Sequence, residues 1–217
     1  MIGNNLDHSV ATFVVDHRSS ALTHLAWAFT TLGNEVTIAV ATLVLIGITY
    51  LRGRHRDAAL VFVGMGGSVS IIFTLKHVVQ RARPGTAFRL PGAAADHSYS
   101  FPSGHTMDAT VFVILLAAVL VPVLRTAAAR VATCVAAAVI AVCVGLSRLY
   151  LGYHWATDVI GALLIGLTWG LLIVAWARTW SITNEAAEIR SPGAFTRTRD
   201  PHQRADSDPR PRPAGSR

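Results

Sequence analysis

Five long apolar runs are the feature that most constrains the fold of this chain. They lie at about residues 35–51, 57–79, 109–124, 131–146 and 156–177. A helix crosses the hydrocarbon of a bilayer with roughly 17 to 25 apolar residues. Only 14% of the residues are charged, against about 25% in a soluble domain. We therefore predict an all-α integral-membrane helical bundle with five clear transmembrane helices.

The segment before these runs has a different pattern. Residues 10–32 are apolar, but Asp16, His17 and Arg18 interrupt them in mid-stretch. Ionisable side chains are costly at the centre of a bilayer, so this pattern favours a helix that lies in the membrane interface. A sixth span is the alternative. The predicted organisation is an N-terminal interfacial helix at 1–33, a membrane domain at 34–180 and a disordered, basic, Pro- and Arg-rich tail at 181–217.

The basic character of the chain does not indicate a nucleic-acid partner. The formal net charge is +7, and the arginines lie mainly beside the apolar runs and in the tail. A basic face interleaved with aromatic residues, typical of nucleic-acid binding, does not accompany them. The two cysteines, Cys134 and Cys143, lie within one apolar run and point to opposite sides of a helix. They offer neither a disulfide nor a metal framework, and we expect no metal and no cofactor.

A pair of basic residues follows the second apolar run. Pro84 disfavours a helical conformation at the residue before it, so the helix is predicted to end near Arg83. Lys76 and Arg83 then lie on one stripe of that helix, where two long cationic side chains can converge on one anion. The alternative is that both extend to the membrane surface. Lys76 is the one lysine of the chain, beside eighteen arginines, which indicates that this position requires an ammonium group.

A second group of polar residues opens the third apolar run. Pro102 and Ser103 are typical of a helix start. The hydroxyl of Ser103, the backbone N–H of Gly104 and the positive end of the helix dipole would all favour phosphate. His105 lies in the first turn, where it could hold or deliver a proton. The alternative is an ordinary helix cap with a surface histidine.

A third group lies between the last two apolar runs. His154 and Asp158 are four residues apart, a spacing that places two side chains on one face of a helix. A carboxylate there can accept the Nδ1 proton of the imidazole and leave Nε2 as a nucleophile. Arg148 would add a fixed positive charge if the segment between it and His154 bends back. The alternative is an interfacial ion pair.

The order of the runs places all three groups on one side of the membrane. Five spans put residues 76–105 and 147–158 on one face, and residues 52–56, 125–130 and the tail on the other. The positive-inside rule marks the second face as cytoplasmic, through Arg52, Arg54, Arg56, Arg125, Arg130 and Arg178. We predict a multi-pass protein of the cell membrane, with the site on the outer face and the tail in the cytoplasm.

The three groups together form a specific pattern. Lysine, six residues and Arg-Pro occur at 76–84, Pro-Ser-Gly-His at 102–105, and Ser-Arg, five residues, His, three residues and Asp at 147–158. This triple pattern resembles the type 2 phosphatidic acid phosphatase (PAP2) superfamily over about residues 30–178. The resemblance implies a metal-independent phosphatase that hydrolyses a membrane lipid phosphate or a polyprenyl phosphate or diphosphate through a phosphohistidine.

The resemblance also implies a role for each residue of the pattern. His154 would attack phosphorus, and Asp158 would orient it. His105 would protonate the leaving oxygen and later deprotonate the hydrolytic water. The phosphoryl oxygens would be held by Lys76, Arg83, Ser103, Gly104 and Arg148. Since the two histidines must hold opposite protonation states, a bell-shaped pH profile is expected.

Two other functions fit the same residues. The first is a vanadate-dependent haloperoxidase-like enzyme, because a site that holds phosphate can hold vanadate. The second is a non-catalytic carrier of lipid phosphates. Halide oxidation with vanadate and peroxide would identify the first, and phosphate release from a lipid would exclude the second.

Overall fold

Helices make up all regular elements of the described residues. The structure is a computed structural model that describes the backbone of residues 5–190 and the side chains of residues 5–179. The α-helices are α1 (Asn5–Asp16), α2 (Ser20–Leu32), α3 (Glu35–Leu51), α4 (His55–Val79), α5 (Gly104–Leu120), α6 (Ala127–Tyr150) and α7 (Ala156–Arg190), and 3₁₀ turns occur at Thr86–Phe88 and Val121–Val123. Helix α7 continues past residue 180, and the rest of the predicted tail, 191–217, lies outside the described residues.

The membrane bundle predicted from the sequence is confirmed. Four helices are long and apolar enough to cross a membrane, namely α4, α5 with its 3₁₀ extension, α6 and the part of α7 up to Thr179. Helices α2 and α3 meet the same criterion together, as a pair bent by 46°. The bend has a local cause, because Gly33 ends α2 and the side chain of Asn34 caps the first turn of α3. The first predicted span, 35–51, is therefore one half of this bent pair.

The N-terminal segment contains two helices, where the sequence predicted one. Helix α1 ends at Asp16 and α2 begins at Ser20, so the charged residues of this stretch lie at a helix junction. The guanidinium of Arg18 donates to the backbone carbonyls of Phe88 and Tyr150, at 2.6 and 2.9 Å. The charge that interrupts the apolar stretch thus fastens this junction to the end of α6.

Two helix boundaries differ from the sequence-based prediction. Helix α4 ends at Val79, because Gln80 adopts a left-handed conformation with φ of 47° and closes the last turn. Arg83 therefore lies beyond the helix, and the predicted common stripe with Lys76 is wrong. Helix α7 begins at Ala156, so His154 precedes it and does not share a helical face with Asp158.

The centre of the bundle is helix α5, which packs against α3, α4 and α6. Val61, Val111, Leu115 and Val144 are fully buried in this core. Glycine permits a close approach at Gly64, since a Cβ atom built there would be 2.7 Å from the side chain of Leu115. This agrees with the small residues that the sequence places along the second apolar run.

One end of the bundle collects the three groups of polar residues. The C-terminal ends of α4 and α6 and the N-terminal ends of α5 and α7 lie there. The opposite end is marked by Arg54, which donates to the backbone carbonyl of Val119 at 2.9 Å and pairs with Asp57 at 2.5 Å. This contact joins the start of α4 to the end of α5, as an antiparallel pair requires.

Candidate active site

A tight turn after α6 brings His154 back towards the bundle. Gly152 has a φ of 76°, and a Cβ atom built there would be 2.1 Å from the backbone oxygen of Phe88. Only glycine fits this turn without a shift of the neighbouring backbone. The backbone N–H of Tyr153 then donates to the carbonyl of Arg148 at 3.1 Å. The segment between Arg148 and His154 therefore bends back, as the predicted role of Arg148 requires.

The hydrogen bonds around His154 define its tautomer. Nη1 of Arg83 lies 3.1 Å from Nε2 of His154. A guanidinium can only donate, so Nε2 must be the unprotonated nitrogen. The proton is then on Nδ1, which faces Oδ2 of Asp158 at 3.6 Å and the hydroxyl of Ser100 at 3.5 Å. The histidine thus has a bare Nε2, as a nucleophile requires.

The surroundings of His154 also keep it neutral. Burial lowers the pKa of His154 to about 4, the positive charges of Arg83 and Arg148 act in the same direction, and Asp158 opposes them. The side chain is 3% exposed. An imidazole with this pKa is uncharged at neutral pH and keeps its lone pair available.

The carboxylate of Asp158 accepts hydrogen bonds from several groups besides His154. It lies in the first turn of α7 and is fully buried. Its Oδ1 accepts from Nη1 of Arg81 at 2.5 Å, and its Oδ2 accepts from the hydroxyl of Ser100 at 2.5 Å and the backbone N–H of Trp155 at 2.9 Å. The last bond is half of a capping box at the start of α7. Both oxygens of the carboxylate are therefore fixed.

Lys76 and Arg83 converge, although they share no helical stripe. Nζ of Lys76 and Nη2 of Arg83 both donate to the hydroxyl of Ser98, at 3.0 and 2.8 Å. Lys76 also donates to the backbone oxygen of Tyr99 at 2.7 Å. Arg83 forms an ion pair with Asp96 at 2.6 Å. The loop after α4, rather than the helix itself, brings the two cations together.

The carboxylate of Asp96 faces these cations in its charged form. Burial raises the pKa of Asp96, but the backbone N–H of Ser98 and the positive charges of Arg83 and Lys76 outweigh that effect and hold the pKa below its usual range. An anionic group of the protein thus balances one of the two positive charges of Lys76 and Arg83.

Arg148 supplies a third cation. Its Nη1 donates to the hydroxyl of Thr30 at 2.7 Å, and its guanidinium carbon lies 4.1 Å from the centre of the Tyr153 ring. The residue is 5% exposed. Because Thr30 belongs to α2, the N-terminal segment takes part in this site. The aromatic face and the hydroxyl hold the guanidinium in one position.

The three predicted site residues at the start of α5 have different surroundings. Ser103 precedes the helix and is fully buried, and its hydroxyl pairs with that of Thr106 at 2.8 Å without capping the helix. Gly104 is the first helical residue and lines a groove beside Lys76. His105 is half-buried and interacts electrostatically with Arg148, His154 and Arg83. The second histidine of the pattern therefore lies near the first.

Sequence reasoning missed several residues of the site. Arg81 and Ser100 contact the carboxylate of Asp158, and Asp7 contacts Thr157 at the start of α7. Ser98 contacts Lys76 and Arg83. Thr30 contacts Arg148. Arg81 could have been considered from the sequence, since it is a second arginine only two residues before Arg83. Asp7 and Thr30 had none, because their contacts join segments far apart in the chain.

Comparisons with known proteins agree with this geometry. Residues 57–182 match the PAP2 superfamily. The chain is 31% identical over 163 residues to "Phosphatidylglycerophosphatase B" of Bacillus subtilis (strain 168), covering 74% of this chain and 78% of the relative. The crystal structure of a transmembrane PAP2-type phosphatidylglycerolphosphate phosphatase from Bacillus subtilis superposes with a TM-score of 0.71 at 29% identity, over 80% of this chain and 85% of that one.

A second solved structure shares the fold. The crystal structure of Aquifex aeolicus LpxE superposes with a TM-score of 0.62 at 19% identity, over 79% of this chain and 96% of that one. With the family match extending over more than half of the sequence and an all-helical membrane bundle around a buried histidine, this chain belongs to the PAP2 superfamily of membrane lipid phosphatases.

Proposed function

We propose that this protein hydrolyses the terminal phosphate of a membrane lipid through a phosphohistidine formed on His154, without a metal ion. The observation on which the proposal depends is the bare Nε2 of His154 beside Arg83. Phosphatidylglycerophosphate is the first candidate substrate, because the relative from Bacillus subtilis is named a phosphatidylglycerophosphatase. Phosphatidic acid and polyprenyl mono- or diphosphates are the other candidates.

The first step follows from the position of the cations. A phosphoryl group in transfer spreads negative charge over three oxygens, so catalysis consists mainly of positioning and fixed positive charge. Lys76, Arg83 and Arg148 supply three such charges. An entering phosphate competes with Asp96 for Arg83 and takes over the N–H that faces Nε2. The lone pair of His154 is then free to attack phosphorus, and no step requires a metal ion.

The second histidine completes the reaction. As the bond between Nε2 of His154 and phosphorus forms, the bond from phosphorus to the lipid oxygen breaks, and His105 donates its proton to that oxygen. A water molecule then gives a proton to His105 and attacks the phosphohistidine, which releases inorganic phosphate and restores both imidazoles. His105 lies close enough to His154 to interact with it electrostatically, and this proximity supports a role for His105 in the same reaction.

A groove supports a lipid as the substrate. It encloses about 660 Å³ and extends between α3 and α4. Lys76, Ser98 and Gly104 line its polar end, next to the phosphate-binding cations. Glu35, Thr42 and Asp108 also line it, and its remaining walls are apolar residues of α3 and α4. A phosphate bound at the cations thus has an apolar channel beside it for a hydrocarbon chain.

The test is a phosphate-release assay of the purified full-length protein on the candidate lipids in mixed micelles. We expect release from at least one lipid in the presence of EDTA, and a loss of about 10³-fold or more in His154→Ala. Acid-labile protein-bound phosphate should appear in the wild type and not in this variant. His97→Ala is the matched control, because His97 is exposed on the loop after α4. Full activity in His154→Ala, or activity that needs added Mg²⁺, would contradict the mechanism.

A further inference from the structure

A buried ionic cluster lies behind the nucleophile. It consists of Asp7, Arg81 and Asp158, whose exposed fractions are 1%, 5% and 0%. Nη2 of Arg81 contacts Oδ2 of Asp7 at 2.5 Å, and Nη1 contacts Oδ1 of Asp158 at 2.5 Å. The carboxylate of Asp7 also accepts from the backbone N–H and the hydroxyl of Thr157, at 3.0 and 2.9 Å. Asp7 precedes the residues matched by the PAP2 superfamily, which begin at 57.

We propose that Asp7 and Arg81 are positioning residues that fix the carboxylate of Asp158 and set the charge facing His154. Helix α1 is then part of the catalytic centre and not only an attachment to the membrane surface. The inference deepens the proposed function, because it assigns these two residues to the reaction in which His154 is the nucleophile.

The geometry carries the positioning argument. Asp158 has two oxygens, and only Oδ2 faces Nδ1 of His154. Arg81 occupies Oδ1, which prevents the carboxylate from turning and exchanging its oxygens. Asp7 in turn holds the second branch of the same guanidinium. A planar, forked cation between two carboxylates is the arrangement for which arginine is suited and lysine is not.

The same cluster determines the local charge. Two carboxylates and one guanidinium give a net charge of about −1 when all are ionised. The other charged or titratable groups that face His154 are Arg83 after α4, His105 on α5 and Arg148 on α6. Removal of Arg81 makes this surrounding more negative and favours protonated His154. Removal of the charge on Asp7 makes it more positive and favours neutral His154.

The experiment compares single and double substitutions in the full-length protein in detergent micelles. The pKa of His154 is measured by NMR titration of labelled histidine, with the signal assigned by its loss in His154→Asn. We expect Arg81→Met to raise the pKa and Asp7→Asn to lower it, each by about one unit. The double variant Asp7→Asn/Arg81→Met conserves the net charge, so its pKa should return close to the wild-type value.

Steady-state kinetics supply the second readout. Arg81→Met should lower kcat about 10- to 100-fold with little change in KM, and the double variant should keep the low kcat although its pKa is restored. Arg81→Lys keeps the charge but not the fork, so it should show a wild-type pKa with kcat lowered about tenfold. Asp16→Asn, the same change at the exposed end of α1, should alter neither quantity.

Two results would overturn the inference. One is a pKa shift of the same sign, or no shift, in Asp7→Asn and Arg81→Met. The other is an unchanged kcat in Arg81→Met. If Arg81→Met does not fold, Arg81→Lys and Asp7→Asn decide between the same outcomes. A wild-type protein inactive on every lipid phosphate would contradict the proposed function, whereas the titration would still decide whether the cluster controls His154.

Discussion

In the proposed mechanism, Arg83 links recognition of the substrate to the state of the nucleophile. Its guanidinium donates to Nε2 of His154 and to the carbonyls of Ser98 and Tyr153, and it pairs with Asp96. All of these partners accept from a cation, and a phosphate oxygen can replace any of them. Burial lowers the pKa of Arg83, yet an arginine remains charged at neutral pH. In that mechanism, binding of phosphate to this one side chain would directly change the hydrogen bonding of Nε2 of His154.

The pH dependence of the reaction should reveal this coupling. Since the pKa of His154 is lowered to about 4, the histidine is neutral above that pH and becomes protonated below it. We expect kcat/KM to fall an additional tenfold per unit below about pH 4, beyond the effect of substrate ionisation. In Arg83→Gln a neighbouring positive charge is lost, so the pKa of His154 rises and this limb moves to higher pH. A limb that stays in place, measured on the same substrate, would show that another group titrates there.

The histidines proposed to react could be picked out from the sequence, but the partners that surround them could not. His105 and His154 stand in short motifs, and the structure brings both to one end of the bundle. The contacts of Arg81 with Asp7 join residues 74 positions apart. No local pattern encodes such a contact, because it depends on how α1 packs after the chain has folded.

The turn between α6 and α7 is the element on which the site depends. It reverses the chain within five residues and places His154 outside any helix. The sequence predicts a helical face for His154 and Asp158 from their spacing, and the same spacing also suits a residue in a turn followed by the first turn of a helix. The side chains are close in both cases, so the predicted pair was correct although the predicted conformation was wrong. Spacing alone does not distinguish these arrangements.

Gly152→Ala should be strongly destabilising. The new Cβ atom would meet the backbone oxygen of Phe88 at 2.1 Å, in addition to the cost of a positive φ. We expect a loss of more than about 3 kcal/mol, seen as a lower Tm, with kcat reduced in the fraction that folds.

Gly92→Ala is the control for this variant. Gly92 has a φ of 81°, but a Cβ atom there would have no neighbour within 4 Å. It should cost only about 1–2 kcal/mol, the price of the left-handed conformation. Equal effects of the two substitutions would mean that the contact with Phe88 does not shape the turn.

The unit that ends at Arg178 is a helical bundle, with the candidate site at one end and the groove along one side. The number and length of the apolar runs predicted this architecture, because hydrocarbon demands long helices with satisfied backbone groups. The bend between α2 and α3 was not predicted, since Gly33 and Asn34 lie between two stretches that both read as apolar. The groove was not predicted either, because it is the space left between α3 and α4 after packing.

Filling the groove should impair long lipids selectively. Gly66 lines the groove and a Cβ atom there would have no neighbour within 4 Å. Gly66→Phe should raise KM about tenfold for a long-chain lipid phosphate, equivalent to about 1.4 kcal/mol, and leave hydrolysis of a short, water-soluble phosphate ester unchanged. Gly47→Phe is the matched control, because a Cβ atom at Gly47 would also have no neighbour within 4 Å and the residue lies on α3 outside the groove lining. Similar losses in both variants would indicate a general effect on the bundle.

The predicted orientation in the membrane can be tested in intact cells. We expect a tag at the C-terminus to resist external protease, because the arginine-rich face should be cytoplasmic. A tag placed in the loop after α4, at the exposed Gly92, should be cleaved from outside. Cleavage of the C-terminal tag alone would show that the predicted orientation is wrong and that the site faces the cytoplasm.

The contact between α4 and α7 bears on how a lipid enters. The indole N–H of Trp169 donates to the backbone oxygen of Gly64 at 2.7 Å, and its ring occupies the space above Gly67, where a Cβ atom would be 2.1 Å away. Parting these helices would leave the indole N–H without an acceptor within hydrocarbon, where water offers no replacement. The contact therefore holds α4 and α7 together, and under the proposed function a lipid would have to enter along the other side of α4, where the groove lies.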